Sequence, residues 1–132
     1  FLYVRNFAPH RWPACNPETG FPGCDSSPTK TRILEQHSQG NDTYFNLAFG
    51  KRPREELYNI QADPHCMENL ADQDEHQPLK AEPWADLEAK LRGTGDPRIL
   101  GGGYVFDDYE DVNGAKHSWA NYVAGTWEKP AH

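Results

Sequence analysis

The sequence predicts an α+β fold: a small antiparallel β-sheet with one or two helices packed on one face, followed by an irregular C-terminal tail. Three observations lead there. Short runs alternate apolar and polar side chains with the period of a strand, two longer stretches carry helix start and stop signals, and Gly and Pro punctuate the remainder. With 132 residues, 36% of them hydrophobic, and a mean hydropathy of −0.89, the chain suffices for one domain with a modest core. Eleven glycines and eleven prolines add much irregular backbone.

Taken in order, Phe1 to Phe7 reads as a strand, with Leu2 and Val4 on one face and Tyr3 and Arg5 on the other. Residues 8–26 hold Pro9, Pro13, Pro17, Gly20, Pro22 and Gly23, the composition of an ordered loop, with Trp12 and Phe21 as its anchors. Ser27-Pro28 starts a helix, since serine caps and proline is pre-set for the first helical position. That helix runs to about His37, buries Ile33 and Leu34, and stops at Gly40-Asn41. Thr43–Phe49 reads as a second strand, with Phe45 and Leu47 alternating against Tyr44 and Asn46. After the break at Gly50-Lys51-Arg52-Pro53 a strand over Glu55–Ile60 follows, and the two make an antiparallel hairpin. Asp63-Pro64 ends the run, and Asn69-Leu70-Ala71 returns an apolar anchor to the core.

Leu79–Leu91 is amphipathic: Trp84, Leu87 and Leu91 share a face, and Asp86–Lys90 and Glu88–Arg92 are i,i+4 pairs. Pro83 begins or kinks this helix and Gly93 is its natural stop. Beyond Gly95 periodicity fades. Residues 1–100 thus make a sheet-plus-helix unit, and 101–132 a tail whose Trp119, Tyr122 and Trp127 suit draping over a neighbouring surface.

Net charge is −7, unevenly placed. Residues 1–53 hold six basic against four acidic groups; the remainder holds seven against sixteen. This balance excludes general nucleic-acid binding and leaves the first part to receive any anionic ligand. No apolar run approaches the 18 residues of a membrane span, so no membrane partner is expected. The chain opens directly on Phe-Leu-Tyr-Val, and any targeting signal is expected upstream. Three cysteines leave an odd thiol; Cys15 and Cys24 can pair across a loop in an oxidising compartment or stay reduced.

Two metal-like patterns fail on spacing. Aligning Gly114 of Asp107–Gly114 with the turn glycine of a calcium loop puts Tyr109 and Ala120 where acids are required. The histidines lack zinc spacing, for His65-Cys66 are adjacent and His76 stands ten residues on.

Several segments, in order, resemble the C-terminal subdomain of type I, formylglycine-dependent sulfatases, with sulfamidase (heparan N-sulfatase)-like members nearest. They are Tyr3-Val4-Arg5-Asn6-Phe7 with Arg11-Trp12-Pro13, then Ser27-Pro28-Thr29, then Phe49–Pro53 leading into Glu55-Glu56-Leu57-Tyr58. Asp63-Pro64 with Asn69-Leu70-Ala71, and Thr94-Gly95-Asp96-Pro97, complete the series over roughly residues 1–100. The resemblance implies a parent hydrolase of sulfate esters or sulfamates of carbohydrates, using formylglycine and calcium held by an N-terminal sulfatase domain, and a periplasmic or secreted location. It implies no catalytic residue and no cofactor within this chain. Cys15-Asn16-Pro17-Glu18-Thr19 imitates the Cys/Ser-x-Pro-x-Arg modification motif, but Thr19 stands where arginine is required, and the motif lies upstream in the family.

A sulfated sugar is held by Arg and Lys through charge-assisted hydrogen bonds, with His or Trp against the ring faces. His10 and Arg11 in the first loop, and Lys51 and Arg52 at the break, are therefore the expected substrate-binding residues. The expected partners are the N-terminal domain, a sulfated carbohydrate and a second copy in a homo-oligomer. The alternative is a free-standing, non-catalytic binding module for acidic glycans.

Overall fold

A computed structural model of the chain describes residues 1–18, 20–109 and 118–126. It is a small α+β structure whose residues divide into two compact units, Phe1–Gln77 and Pro78–His132.

In the first unit, β1 (Leu2–Arg5) pairs antiparallel with β2 (Glu55–Tyr58), setting Leu2 opposite Tyr58, Tyr3 opposite Leu57, Val4 opposite Glu56 and Arg5 opposite Glu55. The expected hairpin partner, Thr43–Phe49, is not a strand: Thr43–Ala48 forms a short helix, α2. The reason lies in Phe45 and Phe49, four residues apart and both buried, which helical spacing brings onto one face, while Tyr44 and Leu47 stay exposed. The first strand therefore pairs across fifty residues rather than within a hairpin.

β2 also ends earlier than expected. The Asn59 side-chain oxygen accepts from the amides of Gln61 at 3.3 Å and Ala62 at 3.4 Å, turning the chain before Ile60 and ahead of Asp63-Pro64. Its edge away from β1 is closed by Asn69. That carboxamide accepts from the Leu57 amide at 2.9 Å and the Ala71 amide at 3.0 Å, and donates to the Glu55 carbonyl at 3.2 Å. The Leu70 amide donates to the Leu57 carbonyl at 2.8 Å. One side chain and one peptide thus stand in for a third strand. Leu57 and Ala71 are fully buried beneath this closure, and Leu70 is half-buried.

Helix α1 (Pro28–Ser38) begins where expected, with Ser27 Oγ accepting from the Lys30 amide at 3.1 Å. It ends in a Schellman motif: Gly40, at φ +85°, donates to the His37 carbonyl and Asn41 to the Gln36 carbonyl. Helices α1 and α2 pack together over a cluster of Phe21, Phe45 and Phe49, with Trp12, Ala14, Ile33 and Leu34 around it. Phe21 and Phe49 stack with centroids 4.7 Å apart, and Phe45 meets Phe21 edge-on at 5.7 Å. Cys15 and Cys24 are exposed free thiols, as is half-buried Cys66 a free thiol.

In the second unit, α3 (Pro78–Gly93) holds Pro83 inside it, at the cost of the bond an amide there would give the Leu79 carbonyl. Trp84, Leu87 and Leu91 are half-buried on it. The Glu88–Arg92 pair forms at 2.8 Å; among the described residues the expected Asp86–Lys90 pair does not. The helix ends at Gly93 as expected, and Gly95, at φ +69°, closes it, with the Asp96 amide reaching back to the Leu91 carbonyl. Asp96 accepts from the Arg98 amide at 2.9 Å, and Arg98 holds its carboxyl down at about 2. A 3-10 turn at Gly103–Asp107 and a helix α4 (Ser118–Ala124) add regular structure to the expected tail. Glu110–Gly114 of the acidic run, and Trp127, lie outside the described residues. Among those described, no helix is long and apolar enough to cross a membrane.

Replacing Asn69 by alanine strands the Leu57 amide and Glu55 carbonyl, and is expected to cost about 2–4 kcal/mol, as unsatisfied buried groups do. Asn69→Asp, which keeps the acceptor, should lose about half as much. Urea denaturation of the full protein measures both, and an unchanged midpoint in the alanine variant would show that the edge closes without this side chain.

Candidate functional site

The aromatic cluster positions the basic residues singled out in the sequence. Trp12 packs edge-on against Phe21 at 6.0 Å and Phe45 at 6.3 Å, which anchors the first loop to α2. Lys51, just past α2, places its ammonium 4.9 Å from the centroid of the Trp12 ring. Segments 10–12 and 51–52, forty residues apart, therefore meet on one face.

The four expected residues differ in their surroundings. His10 is exposed in the turn closed by the Arg11 amide on the Ala8 carbonyl at 2.9 Å, and Arg11 is half-buried behind it. Lys51 remains exposed above the indole. Arg52 is half-buried and donates from Nη2 to the Leu47 carbonyl at 2.6 Å, capping the C-terminal end of α2. It serves the fold first. Lys30 does likewise, holding the Phe21 carbonyl at 2.9 Å and the Cys24 carbonyl at 2.7 Å, so the proline-rich loop is tied to the first turn of α1.

Asn6 is the positioning residue that sequence reasoning missed. Its Nδ2 donates to the Pro53 carbonyl at 2.7 Å and to Glu56 Oε1 at 2.7 Å, while its amide donates to the Arg54 carbonyl at 2.9 Å. It thereby fixes the exit of β1, which leads to His10, against the segment that carries Lys51 and Arg52. A polar residue at the end of an alternating strand was the available signal, and strand periodicity does not rank it.

Asn6 also satisfies a buried carboxylate. Glu56, 8% exposed, accepts from Asn6 on one oxygen and from the Tyr58 hydroxyl on the other. Burial, then the bond to Glu56 and its charge, push the Tyr58 hydroxyl up to about 12. On the opposite face Tyr3 donates to Glu55 Oε1 at 2.7 Å, and Arg5 pairs with the same oxygen at 2.9 Å. Burial and Glu55 raise Tyr3 to about 12 as well. Both phenols are held neutral, as donors to carboxylates.

Among the described residues, no three His, Cys, Asp or Glu side chains gather as a metal-binding group. Thr19, the residue that breaks the modification-motif imitation at Cys15, lies outside them. Comparison with protein-family models, curated proteins and solved structures finds no match.

The raised phenols carry a pH signature. An unfolded tyrosine ionises at its ordinary value of 10.0, below the folded value of about 12, so stability is full below pH 10 and falls as pH rises through 12. Denaturant midpoints measured across that window should drop in the wild type and drop less in Tyr58→Phe. Equal slopes in the two proteins would overturn the link between Tyr58 and Glu56.

Proposed function

We propose that this chain is the C-terminal subdomain of a periplasmic or secreted formylglycine sulfatase, sulfamidase-like in its motifs. It completes the parent fold and lends one wall to a cleft for sulfated carbohydrate. The observation that carries the reading is the meeting of the resembling segments. Tyr3–Asn6, Glu55–Tyr58 and Asn69–Ala71, spread over seventy positions, form one hydrogen-bonded unit. In the same unit Phe1, Leu2, Phe7, Ile60 and Met67 remain exposed, which suits packing on a larger domain. A two-stranded ribbon is marginal by itself, which favours the same arrangement.

In this reading His10, Arg11 and Lys51 face the sulfated sugar, with Trp12 as their platform, while Arg52 holds the break in place. Catalysis, formylglycine and calcium belong to the N-terminal domain. The gene upstream of Phe1 tests the parentage: a Cys/Ser-x-Pro-x-Arg motif supports it, whereas an unrelated domain favours a free-standing module for acidic glycans.

Kinetics of the full protein test the wall. A charge-assisted hydrogen bond contributes about 1.5–3 kcal/mol. Arg11→Ala should therefore lower kcat/KM on a sulfated sugar roughly 10- to 100-fold, since about 1.4 kcal/mol is tenfold. Lys51→Ala should lower it less, because an exposed charge is screened. Wild-type kcat/KM in Arg11→Ala would remove that residue from the cleft.

A further inference from the structure

The turn between α1 and α2 carries Asn41-Asp42-Thr43, an Asn-x-Thr triplet without proline, and its geometry separates backbone from side chains in an informative way. The Asn41 amide is committed to the Schellman motif, donating to the Gln36 carbonyl at 2.9 Å. The position after the left-handed glycine commonly packs an apolar side chain back on the helix. Here it is an exposed asparagine, and among the described residues its carboxamide makes no hydrogen bond. Asp42, also exposed, is tied to the end of α1, with Oδ1 at 2.6 Å from His37 Nδ1, and the His37 ring stacks on Phe45 with centroids 3.6 Å apart. Thr43, first residue of α2, is exposed, and its hydroxyl too makes no hydrogen bond among the described residues. The middle residue of the triplet thus anchors the turn, and the two residues that an acceptor site needs stand in solvent. Tyr44 beside them is 57% exposed, an aromatic face next to the carboxamide.

We propose that Asn41 is an acceptor for N-linked oligosaccharide. The donor class is an oligosaccharide carried on a polyprenyl diphosphate, delivered by a membrane-bound transferase. A bond forms between Asn41 Nδ2 and the anomeric carbon of the first sugar. The bond from that carbon to the diphosphate oxygen breaks with its electron pair, and the nitrogen gives up one proton to the departing polyprenyl diphosphate. The Thr43 hydroxyl is read by the transferase and stays unmodified. The inference rests on the periplasmic or secreted location contained in the proposed function, since only a chain that leaves the cytoplasm meets such a donor.

The test uses the protein isolated from its own cells. Trypsin releases residues 33–51 as one peptide, which mass spectrometry should find carrying hexosamine and hexose. Enzymatic release of the glycan in heavy-oxygen water should leave labelled aspartate at position 41. Thr43→Ser, made in the same cells, should keep the glycan and Thr43→Ala should lose it, and unchanged near-ultraviolet circular dichroism would show that both fold. Recovery of residues 33–51 solely with unmodified Asn41 overturns the proposal, as does a glycan retained in Thr43→Ala. Sulfate release by the same preparation reports separately on the proposed function, so the failure of one is distinguishable from the failure of the other.

Discussion

A single carboxamide, that of Asn69, closes the open edge of the first unit's sheet. Two four-residue strands expose almost as much backbone as they pair, and a ribbon of that size does not hold itself together in water. Asn69 changes the balance because its side chain presents a carbonyl and an amino group with the geometry of a peptide, and presents them to alternate residues of β2, Leu57 and Glu55. With Leu70 adding a true peptide bond to Leu57, the strand is satisfied on both edges although only one neighbour is a strand. Burial follows from that. Leu57 and Ala71 lose all contact with solvent because the chain between them is pulled onto the sheet edge.

The other half of the unit is organised by rings and by cations that serve carbonyls. Phe21, Phe45, Phe49 and Trp12 supply a core that few aliphatic residues reinforce, and each contact within it fixes a different segment. Cations are then divided by task. Lys30 and Arg52 spend their charge on backbone oxygens, at the proline-rich loop and at the end of α2. Lys51, resting on Trp12, keeps its ammonium toward solvent. One residue separates a structural cation from an available one, which is why a basic pair in the sequence does not make a pair of binding residues.

Legibility varied with how local each determinant was. Ser27-Pro28 at the start of α1 and Gly40 at its end were readable because capping depends on neighbours a few residues away. The pairing of β1 with β2 was not, since nothing near Leu2 names Glu55–Tyr58 as its partner. Thr43–Ala48 misled because Phe45, Leu47 and Phe49 fit a strand face as readily as Phe45 and Phe49 fit a helix. The distant rings they meet, Phe21 among them, are what the local pattern does not contain. At the candidate site the residue types were readable and the scaffold was not. His10, Arg11, Lys51 and Arg52 stand out by charge, whereas Asn6, which holds their two segments together, looks like any polar residue at a strand end.

Strongly displaced ionisation often marks a catalytic group, and here it accompanies hydrogen bonds made within the sheet. The nucleophile or base of a hydrolytic reaction must give up its proton readily, so its environment stabilises the deprotonated form. Tyr3 and Tyr58 sit in burial and beside carboxylates, and both influences keep the proton on the phenol. Their neutral hydroxyls donate to Glu55 and Glu56, which face opposite sides of β2, and together with Arg5 on Glu55 and Asn6 on Glu56 they allow two adjacent acids in a thin sheet. The strongest electrostatics of the first unit are therefore spent on keeping a thin sheet intact. What that sheet leaves available is a basic and aromatic face built on Trp12, where the Lys51 ammonium lies over the indole and, among the described residues, carries no structural hydrogen bond to a carbonyl.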